Sequence, residues 1–215
     1  MRTYRRRLIT FAIAPIALAL VAAAPARARM LHLAIDPLTS TMTATVDKPL
    51  SRMNGSVSGT FQIISGKIDG DPQNPGAGSH VELVIDPTSY SSGLSHRDNA
   101  VLSQSLQTSI YSDIRFAGTR LDDVKIDAPG AMGSAIVVGN LTMHGVTREL
   151  RVPVDATLSP DREFSADGSV TFDYTEFGIA PPTMMFGALS AAKEVTIEFR
   201  IIARPAGAAT PTPSP

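Results

Sequence analysis

Phe164-Ser165-Ala166-Asp167-Gly168-Ser169-Val170-Thr171-Phe172-Asp173-Tyr174 is the stretch that decides the fold class. Phe164, Ala166, Gly168, Val170, Phe172 and Tyr174 share one parity, and Ser165, Asp167, Ser169, Thr171 and Asp173 take the other. Side chains alternate faces along a strand, so this segment has one dry face and one wet face. The same period recurs on both sides of it. Val195, Ile197, Phe199 and Ile201 alternate with Thr196, Glu198 and Arg200, and Leu150, Val152 and Val154 with Glu149, Arg151 and Pro153. Val81, Leu83 and Ile85 do so against Glu82 and Asp86, and Met42, Ala44 and Val46 against Thr41, Thr43 and Thr45. Residues 57–68 form a longer run whose parity slips at Ile63-Ile64, the mark of a bulge. With 114–119, 124–126 and 135–143 there are roughly nine strand segments separated by turn residues, which favours an antiparallel sandwich or barrel. Only 98–106 reads as helix, with Asp98 as cap and Val101, Leu102 and Leu106 facing inward. No βαβ unit appears, so a parallel nucleotide-binding sheet is excluded.

The two ends of the chain are different in kind. Arg2, Arg5, Arg6 and Arg7 precede an apolar or small run over 8–24, followed by Ala24, Ala26 and Ala28 in an A-x-A pattern. Residues 1–28 therefore read as a secretory signal peptide cleaved between residues 26 and 28, and not as a stable membrane anchor. This predicts a periplasmic or secreted protein. Residues 29–204 form the folded domain. The Pro/Ala/Thr-rich stretch 205–215 cannot bury apolar surface and reads as a disordered tail.

Composition removes several function classes. The 215 residues include no Cys, so disulfides, thiolate metal sites and cysteine nucleophiles are out. Residues 1–28 hold five of the 19 basic residues and none of the 20 acidic ones, so the exported chain carries 14 against 20, a net charge of −6. An acidic surface without Trp is a poor match for nucleic acid.

Catalytic motifs fail on their companions. Ser190-Ala191-Ala192-Lys193 has the spacing of a serine nucleophile, but no K-T-G follows and Ser112-Asp113 continues to Ile114. His96-Arg97-Asp98 matches a kinase catalytic triplet without its Gly-rich loop or D-F-G. Asp69-Gly70-Asp71 starts like a calcium loop, but position six is Asn74 and no bidentate Glu follows at the right distance. His32, His80, His96 and His144 lack metal-ligand spacing, and His144 reads as a hydrogen-bonded turn residue. No catalytic residues, metal or cofactor are expected.

Gly139-Asn140-Leu141-Thr142-Met143-His144-Gly145-Val146-Thr147-Arg148 resembles the YceI-like family of periplasmic, lipocalin-like lipid-binding proteins. Further collinear stretches agree: Ala34-Ile35-Asp36-Pro37 with Ser40, Val57-Ser58-Gly59-Thr60-Phe61, Val84-Ile85-Asp86-Pro87-Thr88-Ser89, Arg97-Asp98 and Phe172-Asp173-Tyr174-Thr175-Glu176-Phe177-Gly178-Ile179. The chain departs from the family pattern at Thr39-Ser40, Ser105-Leu106-Gln107 and Tyr111-Ser112. The resemblance implies an eight-stranded antiparallel barrel with one short helix, an apolar interior and a homodimer. It also implies a non-enzymatic carrier of a long apolar lipid, a polyisoprenoid or isoprenoid quinone. On that basis the cavity wall is expected to comprise Ala44, Phe61, Leu83, Ile85, Phe116, Val152, Val154, Val170, Phe172, Ile197 and Phe199, with Met184, Met185 and Phe186 at the mouth. The small inward residues Ala44, Gly59, Gly118, Ala166 and Gly168 are expected to leave room for a ligand. The alternative is an envelope or stress-related interaction module with a filled barrel and no ligand. An enzyme with a spatially assembled site is the third and weakest reading.

Overall fold

The computed structural model describes residues 30–47, 55–72, 74–76, 78–128, 132–181, 183–184 and 189–207. In chain order the strands are β1 (Leu31–Ile35), β2 (Thr41–Asp47), β3 (Ser56–Gly70), β4 (His80–Ser91), β5 (Ile114–Ala128), β6 (Met132–Met143), β7 (Val146–Leu158), β8 (Phe164–Asp173), β9 (Thr183–Met184), β10 (Leu189–Ser190) and β11 (Glu194–Pro205). All pairings are antiparallel, and β11 bonds back to β8, so β2–β8 and β11 close a ring of eight. Closure removes most of the sheet edge an open structure would have to protect. The expected barrel with one short helix is what the chain forms.

β1 and β2 occupy one position in that ring, since both lie between β11 and β3. The break between them is the Asp36-Pro37 stretch. Proline has no N–H to donate to a ladder. Asp36 turns the chain by accepting from the Leu38 N–H at 2.9 Å. Ser40 then fills the gap: its hydroxyl donates to the Ile202 carbonyl at 3.3 Å and accepts from the Ile202 N–H at 2.9 Å. Arg204 braces the corner, paired with Asp36 and, at 2.8 Å, with Glu163.

The slip expected at Ile63-Ile64 is a register shift between Ile63 and Ser65, and a second lies between Thr60 and Gln62. Ser89 stabilises the latter by accepting from the Gln62 N–H at 2.7 Å. His144-Gly145 forms the two-residue turn of the β6–β7 hairpin, with φ of 53° and 74°. Positive φ at both positions is what a type I′ turn demands, and it matches the twist of the flanking strands.

Two sequence-based boundaries move. The helix α1 spans Ser95–Ala100, and a π-helical turn, Val101–Ser105, follows it. Asp98 does not cap it: the residue before the helix is Leu94, without a capping side chain, and Asp98 accepts from the Ser92 N–H instead, at 3.0 Å. At the C-terminus β11 runs through Pro205, and the Ala206 N–H donates to the His32 carbonyl at 3.1 Å. Ordered backbone thus extends into the stretch read as tail. Residues 1–28 and 208–215 lie outside the described residues.

Candidate functional site

A small barrel can be filled by its own side chains or left hollow. This one holds a cavity of about 1020 Å³ running from α1 at one end to Pro72, Pro75 and Ser79 at the other. The strands supply its wall from their inward parity. Every expected wall residue stands on it: Ala44 from β2, Phe61 from β3, Leu83 and Ile85 from β4, Phe116 from β5, Val152 and Val154 from β7, Val170 and Phe172 from β8, Ile197 and Phe199 from β11. Met184 belongs to the two-residue strand β9, paired through Leu189, while Met185 and Phe186 lie outside the described residues.

Other wall residues were not anticipated. Leu33 and Ile35 of β1 and Leu141 of β6 also face the cavity, and their alternation was there to be read. Leu121, Val124 and Ile126 were harder to find, because bulges in β5 repeatedly shift its parity. Arg97, Gln104 and Ser105 line the α1 end from helical backbone, where no period of two exists, and Tyr90 joins them from the end of β4.

The glycines act differently from expectation. A Cβ on Gly59 would collide with the Tyr90 ring. One on Gly168 would collide with the Phe199 ring and lie 2.6 Å from the Pro153 carbonyl oxygen. One on Gly118 would lie 2.9 Å from a Val137 methyl. The space these glycines release is therefore taken by neighbouring side chains that lie flat on the backbone, a close approach only Gly permits. Of the small inward residues, Ala44 and Ala166 line the cavity, whereas the room at Gly59, Gly118 and Gly168 is taken by neighbours.

Polar groups gather at the α1 end. The Arg97 Nε donates to the Ser92 hydroxyl at 2.7 Å, and its Nη2 to the Ser92 carbonyl at 3.0 Å. Ser92 in turn donates to Asp98 through both hydroxyl and N–H. This cluster ties α1 to the end of β4. Tyr90 packs against Phe61 with ring centroids 5.2 Å apart, and burial pushes its phenol above the ordinary value. Tyr174 is raised by burial and then by the Asp173 charge, and its hydroxyl donates to the Ala192 carbonyl at 2.6 Å.

Three of the four histidines bond within the fold, and His96 lines the cavity. His144 Nδ1 donates to the Phe177 carbonyl at 3.2 Å and its ring packs on Tyr111, centroids 4.1 Å apart, as a hydrogen-bonded turn residue would. His32 pairs with Asp69 at 2.6 Å and His80 with Glu82 at 2.9 Å. Among the described residues no group of three or more His, Asp or Glu is placed to hold a metal, and no helix is long and apolar enough to cross a membrane. What the site offers chemically is a long cavity walled almost wholly by apolar side chains.

The YceI-like domain, as a family model, matches residues 33–203. A UPF0312 protein of Vibrio parahaemolyticus is 30% identical over 140 residues, which are 64% of this chain and 69% of the relative. Among solved structures, Burkholderia cenocepacia BcnA aligns with a TM-score of 0.64 at 20% identity, covering 78% of this chain and 98% of that one. A polyisoprenoid binding domain from Saccharophagus degradans, implicated in plant cell wall breakdown, aligns with a TM-score of 0.59 at 14% identity, covering 81% and 99%. At these identities the structural likeness speaks for the fold.

Proposed function

Because the chain belongs to the YceI-like family, we propose that it is a non-enzymatic carrier that holds a long apolar lipid, a polyisoprenoid or isoprenoid quinone, inside its barrel. The observation that carries this reading is the apolar cavity of about 1020 Å³. A methylene has roughly the bulk of a water molecule, about 30 Å³, so the cavity takes roughly 30 carbons. At about 0.8 kcal/mol per buried CH2 the gross gain is roughly 25 kcal/mol. Association costs about 4–15 kcal/mol, so a chain that fills even most of the cavity binds tightly with few polar contacts. The polyisoprenoid-binding character of the Saccharophagus degradans domain favours that class of cargo. The signal-peptide character of residues 1–28 favours the periplasm or the cell exterior as the place of action.

A filled barrel acting only through its surface is disfavoured by the hollow interior. The test is to purify the protein from its own producing cells, extract it with organic solvent and compare the extract with native mass spectrometry of the intact protein. A stoichiometric isoprenoid is the expected result. A protein that leaves its native compartment empty would turn the wall residues into core residues and the carrier into an interaction module.

A further inference from the structure

The barrel wall is not equally tall on all sides. Pairing between β4 and β5 stops at Val81 and Gly118, yet β5 continues to Ala128 with β6 as its only remaining neighbour among the described residues. From Thr119 onward roughly 30 Å of strand, at about 3.3 Å per residue, stands beyond the reach of β4. This free edge is unsuited to pairing with another strand. Bulges shift its register between Gly118 and Arg120, Asp122 and Lys125, and Ile126 and Ala128, and Asp123 adopts a φ of 51°. Arg120, Asp122, Asp123, Lys125 and Asp127 place charges along it. Bulges and charges are how an open edge avoids recruiting a partner strand.

The inward residues of the same segment are apolar. Leu121, Val124 and Ile126 line the cavity, but Ile126 is 46% exposed. Across the gap, Pro72, Pro75 and Ser79 line the rim. The α1 end is built the other way. There the 3-10 turn Tyr174–Phe177 packs Phe177, 1% exposed, with Tyr174, Ile179 and Met143 into the main core, and α1 lies over the cavity. Leu94, just before α1, is nevertheless 48% exposed, so what sets the β5 side apart is its missing strand pairing.

Resting on the carrier reading, we infer that the lipid enters and leaves through the open side between residues 119–128 of β5 and the rim residues Pro72, Pro75 and Ser79. The chain has no cysteine, so single ones can be placed cleanly. Ile126→Cys and Leu94→Cys sit at opposite ends of the cavity and start from matched exposure, 46% and 48%. Each purified protein is coupled to a polyethylene glycol maleimide, and uptake of the apolar fluorophore diphenylhexatriene is followed by stopped flow. The label at residue 126 should slow uptake about tenfold or more without lowering the final plateau, and the label at residue 94 should change the rate by less than about twofold. Should Ile126→Cys fail to fold, Val124→Cys marks the same edge. Slowing from residue 94, from both positions equally or from neither overturns the assignment of the mouth. Absence of uptake by the unlabelled protein removes the carrier reading itself and the mouth with it.

Discussion

Replacing Phe172 with glutamate sets a carboxylate on the cavity wall, where the native ring meets Phe177 edge-on at 5.6 Å between centroids. In an empty barrel the carboxylate is served by water, so the variant should fold. In a loaded barrel it faces hydrocarbon. The effective penalty for burying an ion is several kcal/mol; taking about 4 kcal/mol, and about 1.4 kcal/mol per tenfold, loading weakens about a thousandfold. The penalty falls on the ionised form, so the introduced carboxyl's pKa rises in the loaded state above the ordinary glutamate value of about 4.3. The loaded protein then binds one more proton than the empty one. Loading of Phe172→Glu should therefore recover as pH falls towards about 4 and weaken as pH rises, while Phe172→Leu should load at every pH with a loss of about tenfold or less. Diphenylhexatriene titration across pH, paired with mass spectrometry of extracted lipid, reads both effects. A folded Phe172→Glu protein that loads like the native one would refute the placement of the ligand against β8. A loss that does not vary with pH would refute the electrostatic account of it.

Three further outcomes follow from other parts of the fold. Gly145→Ala forces a Cβ into a backbone with φ of 74° and to 2.9 Å from the Tyr111 ring; it should cost about 1–2 kcal/mol, seen as a melting temperature lower by several degrees. Burial raises the Asp36 carboxyl, but hydrogen bonds from the Leu38 N–H, the Thr39 side chain and Arg204, with the Arg204 charge, outweigh it and hold the group below its ordinary value. Its contribution is therefore present above about pH 4 and is lost as pH falls through the lowered folded value. Asp36→Asn should cost about 1–3 kcal/mol at neutral pH in denaturant titrations, with the gap to the native protein closing in acid. Tyr90 and Tyr174 have raised phenol values, so folding favours their neutral forms and stability should decline as pH climbs past about 10. Ultraviolet titration should show both ionising late, and Tyr90→Phe should flatten the alkaline limb of the stability profile.

Much of the site was legible because strand alternation is a local property. Phe164 to Phe172 and Val195 to Ile201 needed nothing beyond their own order to declare a dry face, and that face is the cavity wall. Legibility failed where backbone geometry departs from the period of two. Leu121, Val124 and Ile126 alternate only after the bulges are known, and bulges in β5 are set by its pairing with β6. Asp98 looked like a helix cap because it stands before an apolar triplet. Its carboxylate instead serves Ser92, whose position is set by where β4 ends.

By itself the sequence determined the fold class, the inward parity of the strands that run without bulges, the His144-Gly145 turn and the absence of thiol chemistry. Each follows from spacing along the chain, or from a residue type that only certain conformations accept. The tertiary structure alone decided that Gly59 and Gly168 seat the rings of Tyr90 and Phe199, that the interior stays hollow, and that β5 outruns β4 on one side. Those depend on which strands become neighbours and in what register. Such relations join residues tens of positions apart, and no local period in the chain encodes them.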